Sequence, residues 1–105
     1  MVSLQQIHEF VDRIAREFDP ERVILFGSYA DGTATEDSDV DLLVVMPFPG
    51  KSLTQSVKTL VQADPHFPAD LLARRPEDTE RRYRQGDPLI RSALDKGKVL
   101  YERGG

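Results

Sequence analysis

Cysteine is absent from the 105-residue chain, which excludes disulfides and thiolate metal sites. No stretch approaches the roughly 18 apolar residues that a membrane helix needs. The N-terminus, MVSLQQIHEF, lacks the basic start and apolar core of a secretory leader, so a cytoplasmic protein is expected. Neither a Walker A loop nor G-x-G-x-x-G occurs, which removes P-loop NTPases and dinucleotide-binding folds. Histidine is scarce: His8 borders an apolar stripe and His66 precedes a strand, and both read as surface residues. Internal repeats, linkers and low-complexity tracts are missing as well. What remains, 39% hydrophobic and 30% charged, fits one small domain over residues 1–105 with a single core. A second substrate-binding domain has no room.

The net charge of −4 is unevenly spread. Residues 1–70 hold 5 Lys/Arg against 12 Asp/Glu, and residues 71–105 hold 9 against 6. Base concentrates at Arg74, Arg75, Arg81, Arg82 and Arg84. That run reads either as a solvated helix face or as a surface that meets an acidic partner or a polyphosphate. Nothing in the total is basic enough to argue for duplex DNA binding, and none is expected.

Hydrophobic periodicity divides the chain into helices and strands. Leu4, Ile7, Val11 and Ile14 recur at helical spacing, widened by Phe10 and Phe18; Ser3 with Gln6 forms a capping box, and Asp19-Pro20 stops the helix. Arg22–Phe26 reads as a strand, and Asp31-Gly32 through Ser38 as a loop. Val40–Met46 is almost wholly apolar, which predicts a strand covered on both faces. Ser52–Ala63 reads as a helix with Leu53, Val57, Leu60 and Val61 on its apolar side. A strand at Phe67–Ala73, a helix from Pro76 to about Arg84, a helix capped by Asp87-Pro88 through Lys96 and a last strand at Lys98–Tyr101 complete a compact α/β unit.

Chemistry concentrates between Leu25 and Met46, LFGSYADGTATEDSDVDLLVVM. Asp39 and Asp41 stand at i and i+2 as a strand begins, so both point to one face. Carboxylates so paired repel each other, and a bound cation removes that cost. Mg²⁺ suits them, because it takes oxygen ligands and shares its shell with substrate phosphates. The alternative is an exposed strand start with no ligand. Asp70 is the only charge in Phe67–Ala73 and joins the acidic face if the two strands are neighbours; otherwise it is an edge-strand aspartate. Three carboxylates could hold two cations about 3.5–4 Å apart, with Asp70 also serving as base for an attacking hydroxyl. Gly27-Ser28 ends the preceding strand, where free N–H groups and a hydroxyl can cradle a phosphate. Tyr29, in the same turn, reads as a packing residue.

The segments Gly27-Ser28-Tyr29-Ala30-Asp31-Gly32 and Ser38-Asp39-Val40-Asp41-Leu42-Leu43-Val44 together resemble the signature of the DNA polymerase β-like nucleotidyltransferases. The short chain is most similar to their minimal nucleotidyltransferase (MNT) family, with the leading helix, a later strand aspartate and the ending Val99-Leu100-Tyr101-Glu102 adding to the likeness. The resemblance implies a nucleotidyltransferase fold, a mixed β-sheet flanked by helices. It implies transfer of AMP from ATP with loss of pyrophosphate, Asp39, Asp41 and Asp70 as catalytic residues and Mg²⁺ ligands in a two-metal site, and Gly27, Ser28 and Ser38 at the triphosphate. It further implies an antitoxin whose partner is a HEPN ribonuclease toxin, modified on a tyrosine hydroxyl. Neutralisation by binding alone and transfer to a small molecule such as an aminoglycoside are the rival readings, the latter disfavoured by length. One position departs: Asp31 stands where the family often has Arg or Lys, which implies weaker nucleotide binding or a cation lent by a partner.

Overall fold

The computed structural model describes residues 1–104, in the order α1 Leu4–Phe18, β1 Arg22–Phe26, α2 Ser28–Asp31, β2 Val40–Val45, α3 Ser52–Ala63, β3 Ala69–Arg74, α4 Pro76–Arg84, α5 Pro88–Lys96 and β4 Lys98–Glu102. Four strands form one mixed sheet, ordered β3-β2-β1-β4. β1 runs antiparallel to β2 and β4, while β2 and β3 are parallel. The expected α/β architecture with a helix-flanked mixed sheet is therefore present. Among the described residues, no helix is long and apolar enough to cross a membrane.

Both faces of β2 are covered, as its unbroken apolar sequence requires. Val40, Leu42 and Val44 point into a core closed by Ile7, Phe10, Val11 and Ile14 of α1. Leu43 and Val45 point the other way, against Ile90 and Ala93 of α5. The capping box on α1 is formed: Gln6 N–H donates to Ser3 Oγ at 3.1 Å, and Ser3 N–H donates to Gln6 Oε1 at 2.8 Å. Asp19 ends α1 in the left-handed region at φ 46° before Pro20. The buried stripe starts at Ile7, one turn later than expected, since Leu4 is exposed.

Helix α3 has the expected bounds but the opposite orientation. Leu53, Val57 and Val61 face solvent, at 75%, 53% and 71% exposure, while Ser56, Thr59 and Ala63 are buried. The reason lies at the free edge of β3. Ala73 N–H donates to Ser56 Oγ at 2.8 Å, and Ser52 Oγ donates to Ala73 C=O. Small hydroxyl side chains let the helix approach closely and satisfy edge groups that an apolar face would leave unpaired. Only Leu60 of the expected apolar set packs against the core.

Two segments also depart from the expected pattern by more than one residue. β3 begins at Ala69 rather than Phe67, because Pro68 has no N–H to give and contributes only its carbonyl, which accepts from Val40 N–H at 3.0 Å. Phe67 instead packs edge-on to Phe10, with ring centroids 5.5 Å apart. The stretch after Gly27 is a one-turn helix, α2, before the loop begins.

Most of the basic run is consumed inside the fold. Arg75 stacks on Phe48, 4.5 Å from its ring centroid, and donates to the carbonyls of Phe48 and Gly50. Arg81 and Arg82 pair with Asp78, Arg82 also reaches Asp87 at 3.2 Å, and Arg84 pairs with Glu80. Asp87 caps α5 through the N–H groups of Leu89 and Ile90.

Two predictions test this frame. Ser56→Val, which leaves the Ala73 N–H without an acceptor, is expected to cost about 1–3 kcal/mol in denaturant unfolding, against within about 0.5 kcal/mol for the solvent-facing Val57→Ser. The second concerns acid. The Ile90 N–H, with help from Arg82 and the Leu89 N–H, holds the Asp87 carboxyl below its ordinary range despite partial burial. For Asp78, burial pushes upward, but hydrogen bonds from Arg81 and Arg82 outweigh it. Such groups add stability that is fully present above the ordinary aspartate value near about 4 and is lost as pH falls below it through the lowered folded values. Melting curves should show the wild type losing more stability below about pH 4 than Asp87→Asn does.

Candidate active site

Strand register brings the acidic residues together. In the parallel ladder Asp41 of β2 is paired with Asp70 of β3, and in the antiparallel ladder Asp41 is paired with Phe26 of β1. Paired residues share a face, so both carboxylates project toward the α4–α5 side of the sheet. Asp39 lies two residues before Asp41, just ahead of the strand, and is exposed. Burial raises the Asp41 carboxyl above its ordinary range, and the charges of Asp70 and Asp39 raise it further. Asp41 thus feels the charge of both neighbours.

Gly27 fits against this cluster from β1. Its φ of 73° lies where side chains are disfavoured, and a Cβ there would run into Asp41 Oδ2. Glycine is needed for both reasons. The chain then turns at once into α2, where the N–H groups of Ala30 and Asp31 donate back to the Gly27 carbonyl at 3.1 and 3.2 Å. The first-turn N–H groups of Ser28 and Tyr29 have no acceptor within so short a helix, which leaves them for an anion beside the carboxylates.

Ser38 holds the loop before Asp39: Thr35 N–H donates to Ser38 Oγ at 2.8 Å, and Ser38 N–H donates to the Thr35 carbonyl at 3.1 Å. Tyr29 packs, accepting a hydrogen bond from Val2 N–H at 3.1 Å. Asp31 is exposed and tied to Thr33, whose hydroxyl and N–H bond to its carboxylate and lower its pKa. His8 is exposed on α1, and His66 is exposed beside Asp64.

The donor set suits a hard cation: carboxylates on one face, driven apart by their own charge. Among the described residues, no group of three acidic or histidine side chains is placed to hold a metal ion. Mg²⁺ does not require one, since it is commonly held by one or two carboxylates with water and substrate phosphate completing the shell.

Beside Asp41 and Asp70 opens a cleft of about 410 Å³. Its walls are apolar, from Phe26, Leu53, Leu72 and Leu89, and Arg74 stands among its lining residues. Neither this cleft nor the place of Arg74 in it was anticipated. The alternation of Asp70, Leu72 and Arg74 on one strand face was the available signal.

A family model described as "Nucleotidyltransferase domain" matches residues 6–100. The chain belongs to that family. Two Methanocaldococcus jannaschii proteins resemble part of this nucleotidyltransferase domain: "Putative protein adenylyltransferase MJ1305", 51% identical over 41 residues, and "Putative protein adenylyltransferase MJ0604", 46% identical over 41. Each alignment takes in 37% of this chain, and spans 28% and 41% of the two relatives respectively. Among solved structures, a Sulfolobus solfataricus "putative nucleotidyltransferase" superposes with a TM-score of 0.68 at 20% identity, covering 95% of this chain and 80% of that one. A toxin–antitoxin structure with AMP-PNP gives 0.56 at 20% identity, over 92% of this chain and 74% of its own. A tri-AMPylated Shewanella oneidensis HEPN toxin in complex with an MNT antitoxin gives 0.51 at 19%, over 94% and 73%. These likenesses show a shared fold.

Gly27→Ala should lower stability by more than about 1 kcal/mol, through the strained φ and the clash with Asp41. Asp41→Asn removes a half-buried charge that Asp70 and Asp39 oppose. In metal-free buffer it should raise the melting temperature, and it should abolish any rise that Mg²⁺ gives the wild type. Calorimetry in EDTA and in Mg²⁺ reads both effects.

Proposed function

We propose that this domain transfers AMP from ATP to a hydroxyl of a protein partner, and that the partner is a HEPN-type toxin which it restrains. The observation that carries the chemistry is the in-register pair Asp41 and Asp70, with Asp39 beside it and the open N–H groups of the Gly27-Ser28 turn within the same corner. The protein acceptor is supported by the relatives named as adenylyltransferases of proteins, and by the likeness in fold to toxin–antitoxin assemblies, one with AMP-PNP and one with an AMPylated toxin.

Each residue has a task in this reading. The N–H groups of Ser28 and Tyr29 and the Ser28 hydroxyl receive the triphosphate, and Ser38 holds the loop that brings Asp39 to it. Mg²⁺ held by Asp41 with Asp39 or Asp70, its shell completed by water and substrate phosphate, would neutralise the phosphate charge and steady the departing pyrophosphate. Asp70, on the outer of the two paired strands, orients the acceptor hydroxyl and takes its proton. The hydroxyl oxygen bonds to the α-phosphorus as the bond to the bridging oxygen breaks. Pyrophosphate leaves with that electron pair.

Incubation with α-labelled ATP, Mg²⁺ and the product of the neighbouring gene tests the proposal. Label should appear on a partner tyrosine and fall by at least about 10³-fold in Asp39→Ala/Asp41→Ala. Full neutralisation of the partner by that double variant, with no label transferred by the wild type, would replace the enzyme with a protein that acts by binding alone.

A further inference from the structure

Of the two arginines of the basic run that the fold leaves without a counter-charge, Arg75 is engaged by the Phe48 ring and by the Phe48 and Gly50 carbonyls, which leaves Arg74. Its Nη1 donates to Ser52 Oγ at 2.7 Å, and its Nε is buried with no hydrogen-bond partner. Among the described residues it makes no ion pair. The carboxylates whose charge reaches it, Asp78 and Asp87, are already engaged by Arg81 and Arg82. Burial and the charge of Arg82 disfavour its protonated form, although an arginine stays charged at neutral pH all the same. A half-buried cation in this condition is costly, and an anionic oxygen reaching it would remove much of that cost.

Its position says where such an anion comes from. Asp70, Leu72 and Arg74 alternate along one face of β3, so Arg74 lies four residues, roughly 13 Å of strand, beyond the acidic pair. The phosphate-receiving turn at Gly27-Ser28 lies on β1's side of Asp41, across the acidic pair from β3. Between the two charged ends run the apolar walls from Phe26, Leu72 and Leu89. The cleft is thus built for a molecule with a hydroxyl at one end, an apolar or aromatic body, and an anionic group at the other.

Resting on the transferase reading above, we propose that Arg74 is a specificity residue on the acceptor side. It binds an acidic group that lies about one side chain's length from the hydroxyl to be modified. On a protein acceptor this is the carboxylate of a residue close to the modified one. The other source of anionic oxygen is the nucleotide's own phosphate, and the two are separable.

The probe is 3-(4-hydroxyphenyl)propionate, with its neutral amide as control, titrated into the full chain while the methyl resonances of Leu72 and Leu89 are followed. The acid should bind about tenfold more tightly than the amide. Arg74→Gln should erase that preference and Arg74→Lys should keep part of it, while neither changes the affinity for ATP with Mg²⁺. Melting curves of both variants confirm that they are folded, and Arg74→Lys serves alone if Arg74→Gln is not. Equal binding of acid and amide by the wild type overturns the proposal. So does an Arg74→Gln variant that keeps the preference but loses ATP affinity, which would give the arginine to the nucleotide. A preference for the acid in a protein that transfers no AMP would leave this subsite standing and remove the transferase reading instead.

Discussion

Repulsion between carboxylates that the sheet holds side by side is the constraint around which the rest of this molecule is arranged. Asp41 and Asp70 cannot separate without breaking the β2–β3 register, and that register is fixed by the buried apolar residues that alternate with them. A slip of one residue would send Leu71 and Ala73 to the wrong face and Asp70 into the core. The core therefore enforces a local electrostatic conflict: burial raises the Asp41 carboxyl above its ordinary range, and the charges of Asp70 and Asp39 add to that rise. Gly27 tightens the arrangement from the other side, since any side chain there would occupy the space of the Asp41 carboxylate.

The remaining elements follow from keeping that corner open and the rest closed. α1 seals one face of the sheet with large aliphatic and aromatic groups, while α5 covers only part of the other, which leaves the cleft beside the acidic pair. α3 gives its hydroxyl side to the edge of β3, so that the strand carrying Asp70 and Arg74 is anchored by Ser52 and Ser56. Arg81 and Arg82 of α4 engage Asp78 and the α5 cap Asp87, and neither carboxylate forms an ion pair with Arg74.

Local signals made much of this legible. The capping box at Ser3, the Asp19-Pro20 stop, the bounds of α3 and the Asp87 cap are short-range patterns whose physics lies within a few residues. Asp39, Asp41 and the Gly27-Ser28 turn stood out for the same reason. What escaped depended on partners distant in sequence. Periodicity marked Leu53, Val57 and Val61 as a helix face, but which face turns inward was decided by the unpaired groups of Ala73, which no window around α3 contains. Arg74 merged with four neighbouring arginines in the sequence. Only the contacts of the folded chain, ion pairs for Arg81, Arg82 and Arg84 and the Phe48 ring and backbone carbonyls for Arg75, show that the others are satisfied and it is not.

The central claim is that one corner, formed by Gly27, Asp39, Asp41 and Asp70, gathers cation and nucleotide together. Paramagnetic broadening of backbone amide signals by substoichiometric Mn²⁺ in the presence of ATP tests this most directly. The account predicts broadening centred on Gly27 to Tyr29, Asp39 to Asp41 and Asp70, fading along β3 toward Arg74. Broadening centred on other acidic residues, such as those of α1, or spread evenly over the surface, would contradict it.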